Sequence, residues 1–191
     1  MSNRAVFLDR DGTINIEKDY LYRVEDFEFI PGCVDALRDL TRAGYKPVII
    51  TNQSGIARGY YTEEDYLTID EWLKERLRSL GTEIAASYFC PHLPDAPVEK
   101  YRCTCTCRKP STGLFEKAVK DLDLDLSASY AIGDRLRDLE ICRRSECRGF
   151  LINTTESEAV RDGVGNGAYP NIRYATDLAE AASVILNRLR A

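Results

Sequence analysis

A chain of 191 residues with 44% hydrophobic and 30% charged residues has the composition of one globular domain, which we expect to span residues 1–191. The net charge of −5 argues against a nucleic-acid partner, and no segment approaches the roughly 18 apolar residues of a membrane span. We therefore expect a cytoplasmic protein that acts on a small molecule.

Short apolar runs alternate with segments of three- and four-residue apolar spacing, which predicts strands alternating with helices. The first strand is expected at residues 5–8, and Pro31-Gly32 opens the first helix. Thr62-Glu63-Glu64-Asp65 resembles a capping box and should begin a long helix. The remaining expectations are strands at 46–51, 84–89, 130–134 and 149–153, helices at 111–122, 136–145 and 177–190, and a loop at 163–167. This order predicts an α/β fold with a doubly wound parallel sheet and helices on both faces.

Polar side chains follow three of the predicted strands at the points where those strands end. Asp9 and Asp11 come directly after the first strand, Thr51 ends the second, and Asp134 ends the strand at 130–134. Because the carboxyl ends of parallel strands meet at one edge, these residues should converge there. Carboxylates gathered at such an edge favour Mg²⁺. The spacing does not fit an EF-hand loop, because the twelfth residue from Asp9 is Tyr20.

Four short motifs resemble, in order, those of the haloacid dehalogenase superfamily. They are Asp9-x-Asp11-Gly-Thr13, Thr51, Lys109 before Pro110, and Gly133-Asp134-x-x-x-Asp138. The resemblance implies a Rossmann-like core and a magnesium-dependent phosphatase site.

That resemblance also implies roles for the motif residues. Asp9 would be the nucleophile that forms an aspartyl-phosphate, and Asp11 the proton donor and acceptor. Thr51 and Lys109 would stabilise the phosphoryl group. Asp9, the backbone carbonyl of Asp11 and Asp134 would bind Mg²⁺, whereas a role for Asp138 is left open.

Cysteines and the single histidine cluster between residues 90 and 107. Three thiolates and one imidazole make a closed, structural Zn²⁺ site, but four cysteines compete for three places. The Cys-x-Cys-Arg-Lys-Pro segment resembles the zinc loop of one branch of the superfamily, which implies Cys90, His92, Cys105 and Cys107 as ligands and leaves Cys103 out. Zinc would then hold the segment that carries Lys109 rigid.

The long spacing between the two pairs of zinc ligands, and the run Thr51-Asn52-Gln53-Ser54-Gly55, resemble a branch of the superfamily that acts on heptose bisphosphates. In that reading Arg108 would bind the second phosphate. Arg58 and Lys18 are weaker candidates for the same task. The other implied substrate-binding residues are Asp19, Tyr20, Asn52, Gln53 and Ser54. One departure is that this chain has Lys18-Asp19-Tyr20 where that branch commonly has a His-Gly-Tyr-like sequence.

Two other functions stay open from the sequence. The chain could act on histidinol phosphate or another small sugar phosphate, or it could be a non-catalytic zinc-binding interaction module with a degenerate phosphatase core. About 30 residues separate Asp11 from the second strand, which leaves no space for a large cap domain. We expect a monomer whose zinc-binding loop, at residues 90–107, partly covers the site.

Overall fold

The structure, a computed structural model, describes residues 3–154 and 156–189. Six strands form one parallel sheet in the order β3-β2-β1-β4-β5-β6. The strands are β1 Arg4–Leu8, β2 Tyr45–Asn52, β3 Ala86–Cys90, β4 Tyr130–Gly133, β5 Arg148–Leu151 and β6 Ile172–Tyr174. The prediction of a doubly wound parallel sheet is confirmed.

In the described part of the chain, six α-helices lie between these strands and a seventh follows β6. They are α1 Cys33–Arg42, α2 Ser54–Arg58, α3 Glu63–Ser79, α4 Gly113–Leu122, α5 Glu140–Arg144, α6 Glu158–Gly165 and α7 Leu178–Asn187. Among the described residues, none of these helices is both long enough and apolar enough to cross a membrane.

The two faces of the sheet bury two separate cores, because alternate residues of each strand point to opposite faces. Leu8 and Ile49 face one core, where α1, α3 and α7 pack. Phe7 and Ile50 face the other core, which α4, α5 and α6 cover. Because β1 is buried on both faces, its sequence is a continuous apolar run and not an alternating one.

Several local predictions are confirmed and others are wrong. The Thr62 side chain accepts a hydrogen bond from the Asp65 backbone N–H, and Asp65 accepts one from Thr62, so the capping box is present at the start of α3. The glycine-containing segment at 163–167 is not wholly a loop, since α6 extends to Gly165 and packs Val164 into the core. The segment predicted as one helix at 136–145 begins as a 3₁₀ turn, Leu136–Leu139, before α5. The last helix was predicted to reach Arg190, which lies outside the described residues.

Between Asp11 and β2, the described chain contains a 3₁₀ turn, Val24–Asp26, and α1. No further domain is inserted among these described residues, as the sequence predicted. The longer insertion follows β3 and leads to α4. It therefore rises from the same edge of the sheet at which β1, β2 and β4 end.

Candidate active site and metal centre

Asp9 lies at the end of the central strand β1, and Lys109 reaches it from the loop before α4. The Lys109 ammonium donates hydrogen bonds to Oδ1 of Asp9, at 2.8 Å, and to the carbonyl of Ile50, at 2.6 Å. It also lies 2.7 Å from Oδ1 of Asp138. Lys109 is only 3% exposed, so these partners compensate for a buried charge. Two motifs separated by 100 residues therefore meet in one ion-pair network.

Three carboxylates gather beside this lysine. One oxygen from each of Asp9, Asp134 and Asp138 lies within 4.8 Å of the others. Gly12 makes this approach possible, because it has a φ of +80° and a Cβ there would lie 2.8 Å from Oδ2 of Asp134. An oxygen-only group at this spacing fits a hard divalent cation such as Mg²⁺.

The electrostatics of the cluster favour the binding of a cation. Burial raises the pKa of Asp9 to about 7, and the Asp138 carboxylate adds to the rise, although Lys109 opposes it. Burial likewise raises the pKa of Asp134 to about 6, again with a contribution from Asp138. Burial opposes ionisation of Lys109, but Asp138 and Asp9 outweigh it and raise the pKa of that ammonium. A divalent cation would favour the ionised form of the carboxylates.

Asp11 has a different environment, although it is only two residues from Asp9. Arg10, which is 1% exposed, donates from Nη2 to both carboxylate oxygens of Asp11 at 2.9 Å. Asn15 and Gln53 donate to the same carboxylate at 3.0 and 3.1 Å. Burial alone would raise the pKa of Asp11, but Arg10 and these hydrogen bonds lower it. The Asp11 side chain is therefore held away from the carboxylate cluster and stays ionised.

The residues after β2 form a second wall of the site. Gln53 donates to Thr51 Oγ1 at 2.9 Å and accepts from the Tyr61 hydroxyl at 2.5 Å. The Asn52 side chain donates to the carbonyl of Lys109 at 3.1 Å and accepts from its N–H at 3.0 Å. Asn52 is also the strand partner of Cys90, at the end of β3. The strand end thus contacts both ends of the insertion that follows Cys90.

The insertion contains the sulfur and nitrogen cluster that the sequence predicted. Cys90, His92, Cys105 and Cys107 each offer a ligand atom, and these atoms all lie within 4.8 Å of one another. Sγ of Cys107 lies 3.0 Å from Sγ of Cys90 and 3.2 Å from Nδ1 of His92. Cys103 is exposed and outside the group. Such a donor set fits a tetrahedral metal site, and it lies directly before Lys109.

A polar cavity of about 300 Å³ opens beside Asp11. It is lined by Asp11, Glu17, Asp19, Tyr20, Asn52, Gln53, Ser54, Arg58, Tyr61, Arg108 and Arg137. All six substrate-binding residues expected from the sequence are among them.

Lys18 is not among the lining residues, and its ammonium pairs with Glu28 at 3.2 Å. Asp19 and Tyr20 have φ values of 44° and 70°, the left-handed region that favours glycine. Asp19 stands where the resembling branch commonly has glycine. The loop thus adopts the left-handed conformation at two residues of which neither is glycine.

Sequence reasoning missed Arg10, Tyr61 and Arg137. Arg10 contacts Asp11, and Tyr61 contacts Gln53, inside the folded protein. No spacing of residues in the sequence indicates these contacts. Arg137 lies between Asp134 and Asp138 in the last motif, so its place at the edge of the sheet could have been recognised.

A central strand that ends in paired carboxylates, together with a lysine from a distant loop, defines a phosphohydrolase of the haloacid dehalogenase class. Two family models agree: Polynucleotide kinase 3 phosphatase matches residues 4–137, and HAD-hydrolase-like matches residues 106–181.

Individual relatives narrow the class to a family. The D-glycero-beta-D-manno-heptose-1,7-bisphosphate 7-phosphatase of Photorhabdus laumondii is 47% identical over 136 residues, covering 71% of this chain and 72% of the relative. The same-named protein of Yersinia pestis is 45% identical over 168 residues, covering 85% and 89%. The crystal structure of D,D-heptose 1.7-bisphosphate phosphatase from B. bronchiseptica, complexed with magnesium and phosphate, is 32% identical. It superposes with a TM-score of 0.79 over 97% of this chain and 99% of that one. The chain belongs to the family of D-glycero-beta-D-manno-heptose-1,7-bisphosphate 7-phosphatases.

Proposed function

We propose that this protein hydrolyses the 7-phosphate of D-glycero-beta-D-manno-heptose 1,7-bisphosphate through an aspartyl-phosphate intermediate. One observation carries the proposal: Asp9 lies 2.8 Å from the buried ammonium of Lys109, and the preceding residue in the chain, Arg108, lines the adjoining polar cavity. A nucleophile and a phosphoryl-binding cation therefore lie beside a guanidinium that suits a second phosphate. The names of the relatives support the sugar and the beta anomer.

Asp9 is the proposed nucleophile. Its carboxylate attacks phosphorus, an aspartyl-phosphate forms, and the bond from phosphorus to the sugar oxygen breaks. Lys109 and the Thr51 hydroxyl offset the negative charge that builds up on the phosphoryl oxygens. Water then attacks the aspartyl-phosphate, which releases inorganic phosphate and restores Asp9.

Asp11 is the proposed proton carrier for both steps. It gives a proton to the leaving sugar oxygen and then takes one from the attacking water. In the arrangement observed, Arg10 lowers the pKa of Asp11 and favours its base form. Substrate binding must loosen this contact before Asp11 can hold the proton for the first step.

Mg²⁺ is the proposed catalytic cation, supported by the carboxylate cluster and by the magnesium bound in the B. bronchiseptica relative. Asp9, Asp134 and the backbone carbonyl of Asp11 would hold it. When bound, Mg²⁺ neutralises charge on the transferring phosphoryl group. Asp138 is proposed to position Lys109, because it accepts a hydrogen bond from the Arg135 N–H at 3.0 Å and pairs with the lysine.

Zn²⁺ is the proposed ion of the second cluster, with Cys90, His92, Cys105 and Cys107 as ligands. Four protein ligands leave no open coordination position, so the ion is structural. Its role is to hold the loop that carries Arg108 and Lys109 in place.

Substrate contacts outside the reacting phosphate are proposed for the residues around the cavity. Arg108 binds the second phosphate. Asp19, Tyr20, Asn52, Gln53 and Ser54 are the proposed contacts of the sugar. We further propose that residues 1–191 act as one domain and as a cytoplasmic monomer, which size-exclusion chromatography and cell fractionation would test.

The decisive experiment measures phosphate release from both anomers of the heptose 1,7-bisphosphate and from histidinol phosphate. The expected result is the highest kcat/KM for the beta anomer, with heptose 1-phosphate as product. Cleavage of histidinol phosphate while the bisphosphate stays intact would overturn the proposed substrate. No phosphate release from any of the three would favour the interaction module with a degenerate core, which the intact ion-pair network argues against.

A further inference from the structure

Three arginines from separate parts of the chain surround the polar cavity. Arg58 is the last residue of α2, Arg108 follows the cysteine cluster, and Arg137 belongs to the 3₁₀ turn after β4. Within residues 3–154 and 156–189, the side chains of Arg58 and Arg137 have no hydrogen bond, and none of the three guanidiniums has a carboxylate within 4.0 Å. Arg108 donates one side-chain hydrogen bond, to the carbonyl of His92 at 3.2 Å. Three guanidiniums that are in no close ion pair thus line a common space.

The carboxylates that line the same cavity are those of Asp11, Glu17 and Asp19, and none of them is within 4.0 Å of the three guanidiniums. Asp11 is ion-paired with Arg10, and Glu17 accepts a hydrogen bond from the Asp19 N–H at 3.0 Å. Arg58, Arg108 and Arg137 all line one cavity of about 300 Å³. The three cations therefore repel one another, and an anion in the cavity would remove the repulsion.

The backbone of Arg137 is positioned by the catalytic cluster. The residue before its turn, Arg135, is tied to Asp138 by a backbone hydrogen bond, and Asp138 is in turn paired with Lys109. Because Arg137 precedes Asp138 directly, its backbone is fixed relative to the catalytic cluster. The two other nearby cations have partners, since Arg135 lies 3.5 Å from Asp134 and Lys18 pairs with Glu28.

We propose that Arg137 is a specificity-determining residue that binds the non-reacting phosphate of the substrate together with Arg108. The proposal rests on the proposed function and adds a second arginine to the subsite that binds the non-reacting phosphate. Two guanidiniums, each with several N–H donors in a plane, would bind a phosphate more selectively than one arginine can. Arg137 would thus favour bisphosphates over monophosphates, whereas the residues around Asp9 act on both.

The test compares kcat/KM for the heptose 1,7-bisphosphate and for heptose 7-phosphate, which lacks only the non-reacting phosphate. Arg137→Gln should lower kcat/KM for the bisphosphate roughly ten- to a hundred-fold, as expected for loss of a charge-assisted hydrogen bond, and for the monophosphate by a much smaller factor. Arg137→Lys should recover part of the loss. The matched control is Arg161→Gln, an exposed arginine of α6, which should alter neither value.

Two outcomes would overturn the assignment. One is an equal fall for both substrates, which would indicate a structural effect of Arg137. The other is a bisphosphate value for Arg137→Gln equal to that of the unmodified protein.

If the unmodified protein cleaves no heptose bisphosphate, the proposed function fails, and the same comparison is made with fructose 1,6-bisphosphate and fructose 6-phosphate. A loss of bisphosphate preference in Arg137→Gln would still support the subsite. Absence of any preference in the unmodified protein would refute it.

Discussion

The ammonium of Lys109 lies 2.7 Å from Oδ1 of Asp138, and both side chains are almost completely buried. The same ammonium is 2.8 Å from Asp9. Lys109 is therefore held between the proposed nucleophile and a carboxylate that faces away from solvent. The sequence left the role of Asp138 open. This pairing indicates that Asp138 positions Lys109 and does not itself contact the substrate.

We expect Asp138→Asn to lower kcat roughly ten-fold or more, because Lys109 loses one of its two ionic partners and is held less firmly toward the phosphoryl group. Steady-state kinetics at saturating Mg²⁺ would measure this. The matched control is Asp121→Asn, which breaks the exposed Lys117–Asp121 pair of the same 2.7 Å length and should leave kcat unchanged. If Asp138→Asn alters only the Mg²⁺ concentration required, Asp138 is a metal ligand and the positioning role is wrong.

Asp9 and Asp11 should differ in a single-turnover experiment. Asp9→Asn removes the nucleophile, so neither phosphate release nor a phosphorylated protein is expected. Asp11→Asn should slow phosphate release roughly 10²- to 10⁴-fold, because the second step lacks its base. If the first step is slowed less, phosphorylated protein accumulates after acid quenching and is seen by mass spectrometry. Phosphorylation of Asp9→Asn would show that another residue is the nucleophile.

The buried contact between Arg10 and Asp11 should be visible as a coupling energy. Arg10→Met leaves the Asp11 carboxylate without its main partner, and we expect the free energy of unfolding to fall by about 3 kcal/mol. The double variant Arg10→Met/Asp11→Asn should lose less than the sum of the two single variants, because the second change removes the unpaired charge. Urea denaturation of the four proteins measures the cycle. Strict additivity would contradict a direct interaction.

Zinc content should depend on Cys105 and not on Cys103. Purified protein should contain about one equivalent of zinc, and Cys105→Ser should lose most of it because a closed site needs all four ligands. Cys105→Ser should also lose most of its phosphatase activity, since Lys109 follows only four residues later. Cys103→Ser is the control and should keep both metal and activity. Full zinc content in Cys105→Ser would refute the proposed ligand set.

Magnesium should stabilise the protein more at high pH than at low pH. The pKa values of Asp9 and Asp134 are raised to about 7 and about 6, so the magnesium-free folded protein binds protons more tightly than the unfolded chain does. Their contribution to stability is present below the ordinary value of 3.8 and is lost as pH rises through about 6 to 7. Above that range, bound Mg²⁺ would supply the positive charge that bound protons supply at lower pH.

The measurement is Tm with and without MgCl₂ across this pH range, with zinc left in place. The increase caused by MgCl₂ should grow with pH and should be much smaller in Asp9→Asn. An increase that is the same at every pH would contradict the assignment of the metal to these carboxylates.

The parts of the site that could be predicted from sequence are those in which chemistry and position are encoded locally. A strand that ends in two aspartates identifies its own edge of the sheet, and paired cysteines at two-residue spacing identify a metal loop. The contact of Arg10 with Asp11 could not be predicted, because nothing in the chain shows which way that side chain turns.

Short elements were missed for a related reason. β6 has three residues and α2 has five, so neither is long enough for a repeating apolar pattern to be recognised. In α6, Gly163 and Gly165 weaken the helix propensity, and packing of Val164 decides the outcome instead.

Asn52 contacts the insertion at both of its ends, as the strand partner of Cys90 and through two hydrogen bonds to Lys109. Provided that the four cysteine and histidine ligands are kept, the rest of the chain between these points can therefore change in length and sequence without moving the catalytic lysine. Such an arrangement lets selection alter substrate preference while the reaction chemistry is conserved. It also marks residues 91–108 as a segment that could be exchanged between related enzymes as a unit, provided that Asn52 is retained.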